Sequence, residues 1–233
     1  MIDPLAGSPW STPETVAGFV RSAPNPTLMR WAAAELERTG GGRLLDLGCG
    51  AGRNAVPLAE MGWQVLGLDL SLPMVAAAAQ RGRALKEGGS RPRRFDAALA
   101  PMDCLPVRDA CSSFLVAHGI WNLAPSAAEF RRAVAEAARA AKPGAALFVF
   151  TFSRHTLPAD LEPVSGEPFV FTQFSGQPQC FLTGEQLLEE LAAASFVPDP
   201  EVPLRELNRP ASGALRTAGG PVIYEGGFRL APR

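Results

Sequence analysis

The stretch LLDLGCGAGRNA, residues 44–55, runs from strand-like residues into three alternate glycines and then into helix formers. Glycine is used where the backbone must turn left-handed, or where something must come closer than a Cβ allows. Several ligands are held by glycine loops of this general shape. The neighbouring residues have to say which one.

The dinucleotide fingerprint is G-x-G-x-x-G, with a pyrophosphate on the loop amides and the helix start. Here the glycines are Gly48, Gly50 and Gly52, and Arg53 stands in the third fingerprint slot. Asp46 places negative charge just before the loop, where a pyrophosphate would be repelled. A cationic ligand, such as a methionine ammonium beside a sulfonium, would suit it. Asp69 follows the next strand-like run, 21 residues after Gly48. There a carboxylate can accept hydrogen bonds from both hydroxyls of a ribose.

Outward from the loop, the chain alternates strand and helix patterns. Strands are expected at Arg43–Leu47, Gln64–Leu68, Arg94–Leu99, Ser113–His118 and Ala145–Phe152. Between them, Gly52–Met61 carries a helical spacing, and Ser71 can cap a helix to Gln80. Ser126 and Glu129 have the spacing of a capping box, ahead of an apolar face at Phe130, Val134, Ala137 and Ala141. Lys142-Pro143-Gly144 is expected to stop that helix. Such alternation predicts an α/β fold with a doubly wound, mostly parallel sheet. Ligands then sit beyond the carboxyl ends of the strands, near the switch in strand order.

Residues 153–182 show little helical pattern and hold Phe169, Phe171 and Phe174, so they are expected to form a lid on the acceptor side. Thr183 and Gln186 can cap a further helix through Leu187, Leu188 and Leu191. Two closing strands are expected near Val202–Leu207 and Val222–Leu230. Residues 1–40, with Trp10, Phe19, Trp31 and a helical stretch from Pro26 to Arg38, read as an N-terminal helical appendage or lid. The whole of 1–233 is expected to be one domain, with residues 43–152 as the cofactor-binding core and 183–233 as a C-terminal helix and strands.

Composition narrows the function classes. The 233 residues are 47% hydrophobic and 19% charged, with a net charge of −1. That balance gives no general attraction to nucleic acid or to an anionic membrane. The densest basic run, Arg81 to Arg94, also holds Glu87, glycines and Pro92, and reads as a solvated connection. The first twenty residues have no apolar signal core, and no apolar run approaches the roughly twenty residues of a spanning helix. Four cysteines show no C-x-x-C pair and no metal-type histidine spacing, so no metal is expected and a cytoplasmic protein is the plain reading.

With these residues in view, LLDLGCGAGRNAVPLAEMGWQVLGLDLS resembles the first two motifs of the class I, Rossmann-like S-adenosylmethionine-dependent methyltransferases. APMDCLPVRDACSSFLVAHGIWNL is similar to the family's acidic turn and fourth strand. AKPGAALFVFTFSR resembles its proline-glycine turn and fifth strand, and FLTGEQLLEELAAASF the helix before its last, antiparallel strand pair. The tripeptide GRN also resembles small-molecule methyltransferases of the tellurite-resistance type. The resemblance implies a seven-stranded sheet with an antiparallel last strand.

It also implies a site for S-adenosylmethionine, with S-adenosylhomocysteine as product. Asp46, Gly48, Cys49, Gly50 and Gly52 would face the methionine portion, Asp69 the ribose and Leu70 the adenine. Asp103 and Cys104 would meet the adenine edge, and His118 would end the fourth strand beneath the sulfonium. Each has a plainer alternative as a turn, cap or packing residue, and Cys49 and Cys104 read as small hydrophobes rather than reactive thiols. Arg53 reads equally as a surface helix residue.

The expected reaction is in-line methyl transfer to an O, N, S or chalcogen nucleophile of a small molecule. His118 and His155 are the candidate bases, each with a structural alternative. Trp121, Asn122 and Phe171 are candidates for the acceptor pocket. No [DN]-P-P-[FYW] motif follows the fourth strand, so a nucleic-acid acceptor is not expected, nor a membrane partner. A monomer is the default. Two other readings stay open: a non-catalytic S-adenosylmethionine-binding regulator or partner subunit, and a nicotinamide-dependent oxidoreductase, which Arg53 in the glycine slot opposes.

Overall fold

The strands expected in the first half all form. The computed structural model describes residues 3–85, 94–209 and 220–232. Two helices, α1 (Pro13–Arg21) and α2 (Pro26–Thr39), lead into β1 (Arg43–Leu47), α3 (Ala55–Met61), β2 (Gln64–Asp69), α4 (Leu72–Arg83) and β3 (Arg94–Leu99). Next come β4 (Ser112–His118), α5 (Ala127–Ala140) and β5 (Ala141–Phe152). The short β6 (Val170–Phe171) and β7 (Gln179–Cys180) pair only with each other. The chain closes with α6 (Gly184–Ala193), β8 (Phe196–Pro198), β9 (Arg205–Leu207) and β10 (Ile223–Leu230). Part of the expected solvated connection, residues 86–93, lies outside the described residues.

The main sheet runs β3-β2-β1-β4-β5-β10-β8, with β9 also on β10. The first five are parallel, and β10 is antiparallel to β5. β9 and β8 pair with the two ends of β10, at residues 223–225 and 228–230. The expected seventh strand position is therefore filled by two short strands, giving eight in all. The sequence pattern ran the break together because Pro203, which lacks an N–H, falls inside the anticipated Val202–Leu207 strand. Phe196–Pro198 is too short to show a period.

Alternate strand residues face two apolar layers. Leu45, Leu47, Leu115, Leu147 and Val149 pack with Phe130, Val134 and Leu187 on one side. Leu44, Val65, Phe114, Val116 and Phe148 pack with Trp31, Leu58 and Trp63 on the other. Fully burying such a side chain contributes about 1.5–3 kcal/mol. The helices start at side-chain caps: Asn25 accepts from the amides of Thr27 and Leu28, and Ser71 from Met74. Thr183 and Gln186 form the complete reciprocal box. At Ser126 only half forms, because the Glu129 carboxylate faces Arg132 instead. Lys142-Pro143-Gly144 does not precede β5 but lies within it, as an irregularity between the Ser112–Ala141 and Phe114–Ala146 pairs, with Gly144 at φ +75°.

Helix α2 is bolted to the antiparallel edge by charge as well as packing. Glu35, 2% exposed, accepts from Arg229 on β10 at 2.5 Å and from Arg38 at 2.6 Å. Arg229 also lies over Trp31, 5.8 Å from the ring centroid, and pairs with Asp199. Burial alone would raise the Glu35 pKa, but the two arginines outweigh it and hold the group at about 2. A depressed carboxylate stabilises the fold above its unfolded pKa, and the effect is lost as pH falls through the folded value. Glu35→Gln is therefore expected to cost roughly 2 kcal/mol in urea unfolding at pH 7, after discounting for the exposed side of the arginines. The deficit should shrink as the pH drops from about 4.5 toward 2.

Candidate functional site

The glycines of the loop after β1 serve geometry that other residues would strain. Gly48, Gly50 and Gly52 have φ of +68°, +53° and +77°. A Cβ at Gly48 would lie 2.7 Å from the Ile120 side chain, and one at Gly50 would lie 3.0 Å from Phe19. The amides of Gly48 and Cys49 both donate to the Leu68 carbonyl, at 2.7 and 3.0 Å, so the loop is tied across the end of β2.

Two carboxylates flank this loop. Asp69 accepts from the Gly50 amide at 2.8 Å and the Ser71 amide at 2.9 Å. Burial raises its pKa, and the amide hydrogen bonds oppose that. Asp46 is 1% exposed, and neither of its oxygens has a hydrogen-bond partner of normal geometry among the described residues. Burial lifts it to about 7, with the Arg53 charge pulling the other way. A buried carboxylate left unpaired is costly unless something cationic meets it. The Cys49 thiol is buried against Gly67, and burial pushes its pKa well up, so it packs rather than reacts.

His118, at the end of β4, stacks on Phe150 with ring centroids 4.1 Å apart. Its Nδ1 receives Arg53 at 2.8 Å, and the Asn25 amide nitrogen lies 3.4 Å from Nε2. Asn25 is itself fixed, since its Oδ1 caps α2 and its Nδ2 donates to Glu225 at 2.6 Å. Burial first, and then the Arg53 charge, lower the His118 pKa to about 3.

Above these groups lies a cavity of about 390 Å³, at the switch in strand order between β1 and β4. Its floor includes Gly48, Gly50, Asp69 and Leu70, and its walls Met102, Leu105, Ile120 and Phe150. Leu5, Trp10 and Phe19 roof it. The roof is anchored to the turn after β2: Ser71 Oγ donates to the Trp10 carbonyl at 3.1 Å, and the Leu72 amide donates to Asp3 at 3.1 Å.

Of the site residues expected from sequence, Gly48, Gly50, Asp69, Leu70 and His118 line the cavity. Asp46, Cys49 and Gly52 lie beneath or beside it. Asp103 pairs with Arg132 at 3.1 Å, and Cys104 is exposed; their neighbours Met102 and Leu105 form the wall instead. Trp121 and Asn122 are turned away. The short turn Trp121–Leu123 sends Trp121 into the core against Phe130, while Ile120 and Leu123 face the cavity. Phe171 packs with Phe181 and Leu157 in a separate cluster. No residue of 153–182 lines the cavity: Phe169 and Phe171 pack inward while Phe174 stays exposed, and the N-terminal segment, not the expected acceptor-side lid, covers the cavity. His155 is drawn off to Glu206, 2.6 Å away near the β9 edge.

Met102, Ile120 and Phe150 were not singled out from sequence, whereas the N-terminal segment was expected as an appendage or lid. Arg53 was legible only as the odd residue of the glycine pattern. No group of three or more potential metal ligands occurs among the described residues, nor any helix long and apolar enough to cross a membrane.

Residues 45–149 match the family described as a methyltransferase domain. Demethylmenaquinone methyltransferase of Renibacterium salmoninarum is 31% identical over 131 residues, 54% of this chain and 49% of that protein. The chain spans less than half the length of the curated relatives it matches. Among solved structures, an S-adenosylmethionine-dependent methyltransferase of Methanosarcina mazei superposes with a TM-score of 0.68 at 19% identity, covering 91% of this chain and all of that one. The [4+2]-cyclase SpnF has a TM-score of 0.57 at 30% identity, covering 80% of this chain and 63% of that one. The fold is thus the Rossmann-like methyltransferase fold.

Gly48→Ala should lower the melting temperature by several degrees, the sum of the left-handed φ and the Ile120 collision, and calorimetry reads it directly. His118 should stay neutral in NMR titration down to about pH 3. Between the free value of 6.5 and that point the unfolded chain binds the extra proton, so this residue makes stability rise with pH across the window.

Proposed function

We propose that this chain, whose residues 45–149 are a methyltransferase domain of the S-adenosylmethionine-dependent class I kind, methylates a small molecule held under its N-terminal cover. The observation that carries this reading is the single cavity in which the glycine loop, Asp69 and an enclosed apolar acceptor space meet. Its size is in the range of small-molecule sites, roughly 300–1,000 Å³.

The residues present fit the cofactor. Asp46, buried and without an ion pair among the described residues, suits its ammonium, and the close approach of the chain at Gly48 leaves backbone facing the methionine portion. Asp69 offers its carboxylate to the ribose, beside Leu70. Met102 and Leu105 offer an apolar wall to the adenine, in place of the Asp103 and Cys104 side chains. Bound S-adenosylmethionine supplies an electrophilic methyl group on a sulfonium. The chain's own part is to align the acceptor with that carbon and to exclude water. Trp10 and Phe19, packed edge to face at 6.1 Å, cover one side of the cavity. Four unpaired cysteines fit a reducing, cytoplasmic setting.

The 30% identity to a cyclase favours a second reading, in which the cofactor is bound and no methyl group is transferred. Calorimetric titration separates these cases. S-adenosylmethionine and S-adenosylhomocysteine should bind, and NADH should not. Methylation of any acceptor with matching release of S-adenosylhomocysteine from S-adenosylmethionine excludes the second reading, and failure of both cofactor forms to bind overturns the first. Asp69→Asn should weaken the cofactor by about tenfold or more through loss of charge-assisted hydrogen bonds, and it should also lower the melting temperature, since one oxygen that accepts a backbone amide becomes a donor.

A further inference from the structure

Among the described residues, four titratable side chains line the cavity: Arg53, Asp69, His118 and Glu129. Of these, Arg53, Asp69 and His118 stand at the loop, and none of the three is free to take a proton there. Both Asp69 oxygens are engaged by amides. Glu129 sits on the Asp103 side, sharing Arg132 with that residue. The His118 Nδ1 accepts from the Arg53 guanidinium, which leaves the ring proton on Nε2, 3.4 Å from the Asn25 amide nitrogen. Asn25 cannot turn its oxygen to the ring without losing the α2 cap and the bond to Glu225. Among the described residues, no carboxylate touches the imidazole that could favour its cation. The cavity wall also offers no lysine, tyrosine or cysteine.

Arg53 presents the opposite situation. It lines the cavity and makes no ion pair among the described residues, its one side-chain partner being His118. The carboxylate whose charge reaches it is Asp46 from β1, outside pairing distance, and Glu225 is held by Asn25. A half-buried guanidinium without an anion is a fork waiting for one.

On the reading above, with Asp46 given to the cofactor ammonium, we infer that the acceptor is a small organic acid that enters already deprotonated, a thiolate, phenolate or enolate, with Arg53 as its counter-ion. The acceptor's lone pair forms the bond to the methyl carbon as the carbon–sulfur bond breaks, and that electron pair stays on sulfur. The sulfonium becomes a neutral thioether and the anion a neutral methylated product. No proton has to move. Arg53 is left without its anion, which weakens its hold on the product.

The test uses the full chain with S-adenosylmethionine and four probes: benzenethiol and 4-nitrophenol as acids, aniline and benzyl alcohol as neutral counterparts. Release of S-adenosylhomocysteine is followed across neutral pH. The acids should react, each with kcat/KM rising along its own ionisation curve and then levelling. Arg53→Met should raise KM for the acids by about tenfold or more while changing cofactor Kd by less than about threefold. Arg53→Lys should recover part of the loss, and circular dichroism checks that both variants fold.

Four results would overturn the inference. They are a rising limb at one pH shared by acids of different strength, turnover of the neutral probes alone, turnover of neither acid by protein that binds the cofactor, and loss of cofactor affinity in Arg53→Met, which would give the guanidinium to the cofactor's carboxylate. Wild-type protein that does not bind the cofactor would instead sink the underlying reading.

Discussion

One carbonyl organises the functional end of this molecule. Leu68 O receives the amides of both Gly48 and Cys49, so the turn leaving β1 is held across the end of β2. That bond pair needs a left-handed residue at Gly48, and its tightness leaves Ile120 no room for a Cβ there. Everything chemical is then placed by consequence. Asp46 is trapped beneath the loop, Asp69 faces the Gly50 amide, and Arg53 emerges where α3 begins and meets His118 on β4.

Charge is handled differently at the two ends of the sheet. At the β10 edge, Glu35, Arg38, Arg229 and Asp199 satisfy one another, and the carboxylate is held far below its usual range. At the loop, the charges are kept apart: Asp46 is lifted toward neutral pH and Arg53 goes without an ion pair. Unpaired buried charge destabilises a fold, and such residues concentrate where a ligand completes them.

Much of this was legible in the sequence. Strand positions in the first half follow from alternation between two apolar layers, and the glycine spacing with Asp46 and Asp69 marked the site. What failed had local causes. Trp121 and Asn122 lie in the right turn, but a short helical twist rotates them inward and brings Ile120 and Leu123 forward. Phe171 and its aromatic neighbours looked like a lid, yet apolar composition cannot distinguish a side chain facing a ligand from one facing Phe181. His155 stood near the end of a ligand-bearing strand, and its pairing with Glu206 is a contact across more than fifty residues that no local pattern carries. The N-terminal segment was legible as an appendage or lid, but its attachment was not, because it runs through Ser71 and Leu72, residues read as a helix start.

That attachment carries a cost for change. Ser71 both donates its amide to Asp69 and anchors the backbone beneath Trp10, so the cover of the cavity stands on the turn that presents the Asp69 carboxylate. On the proposed function, acceptor range and cofactor affinity are then not independent traits in this chain. Under that reading, a lineage or a laboratory that reshapes the roof to admit a larger substrate shifts the Asp69 turn as well, and the first variants to broaden their choice should be those that also hold the methyl donor less firmly.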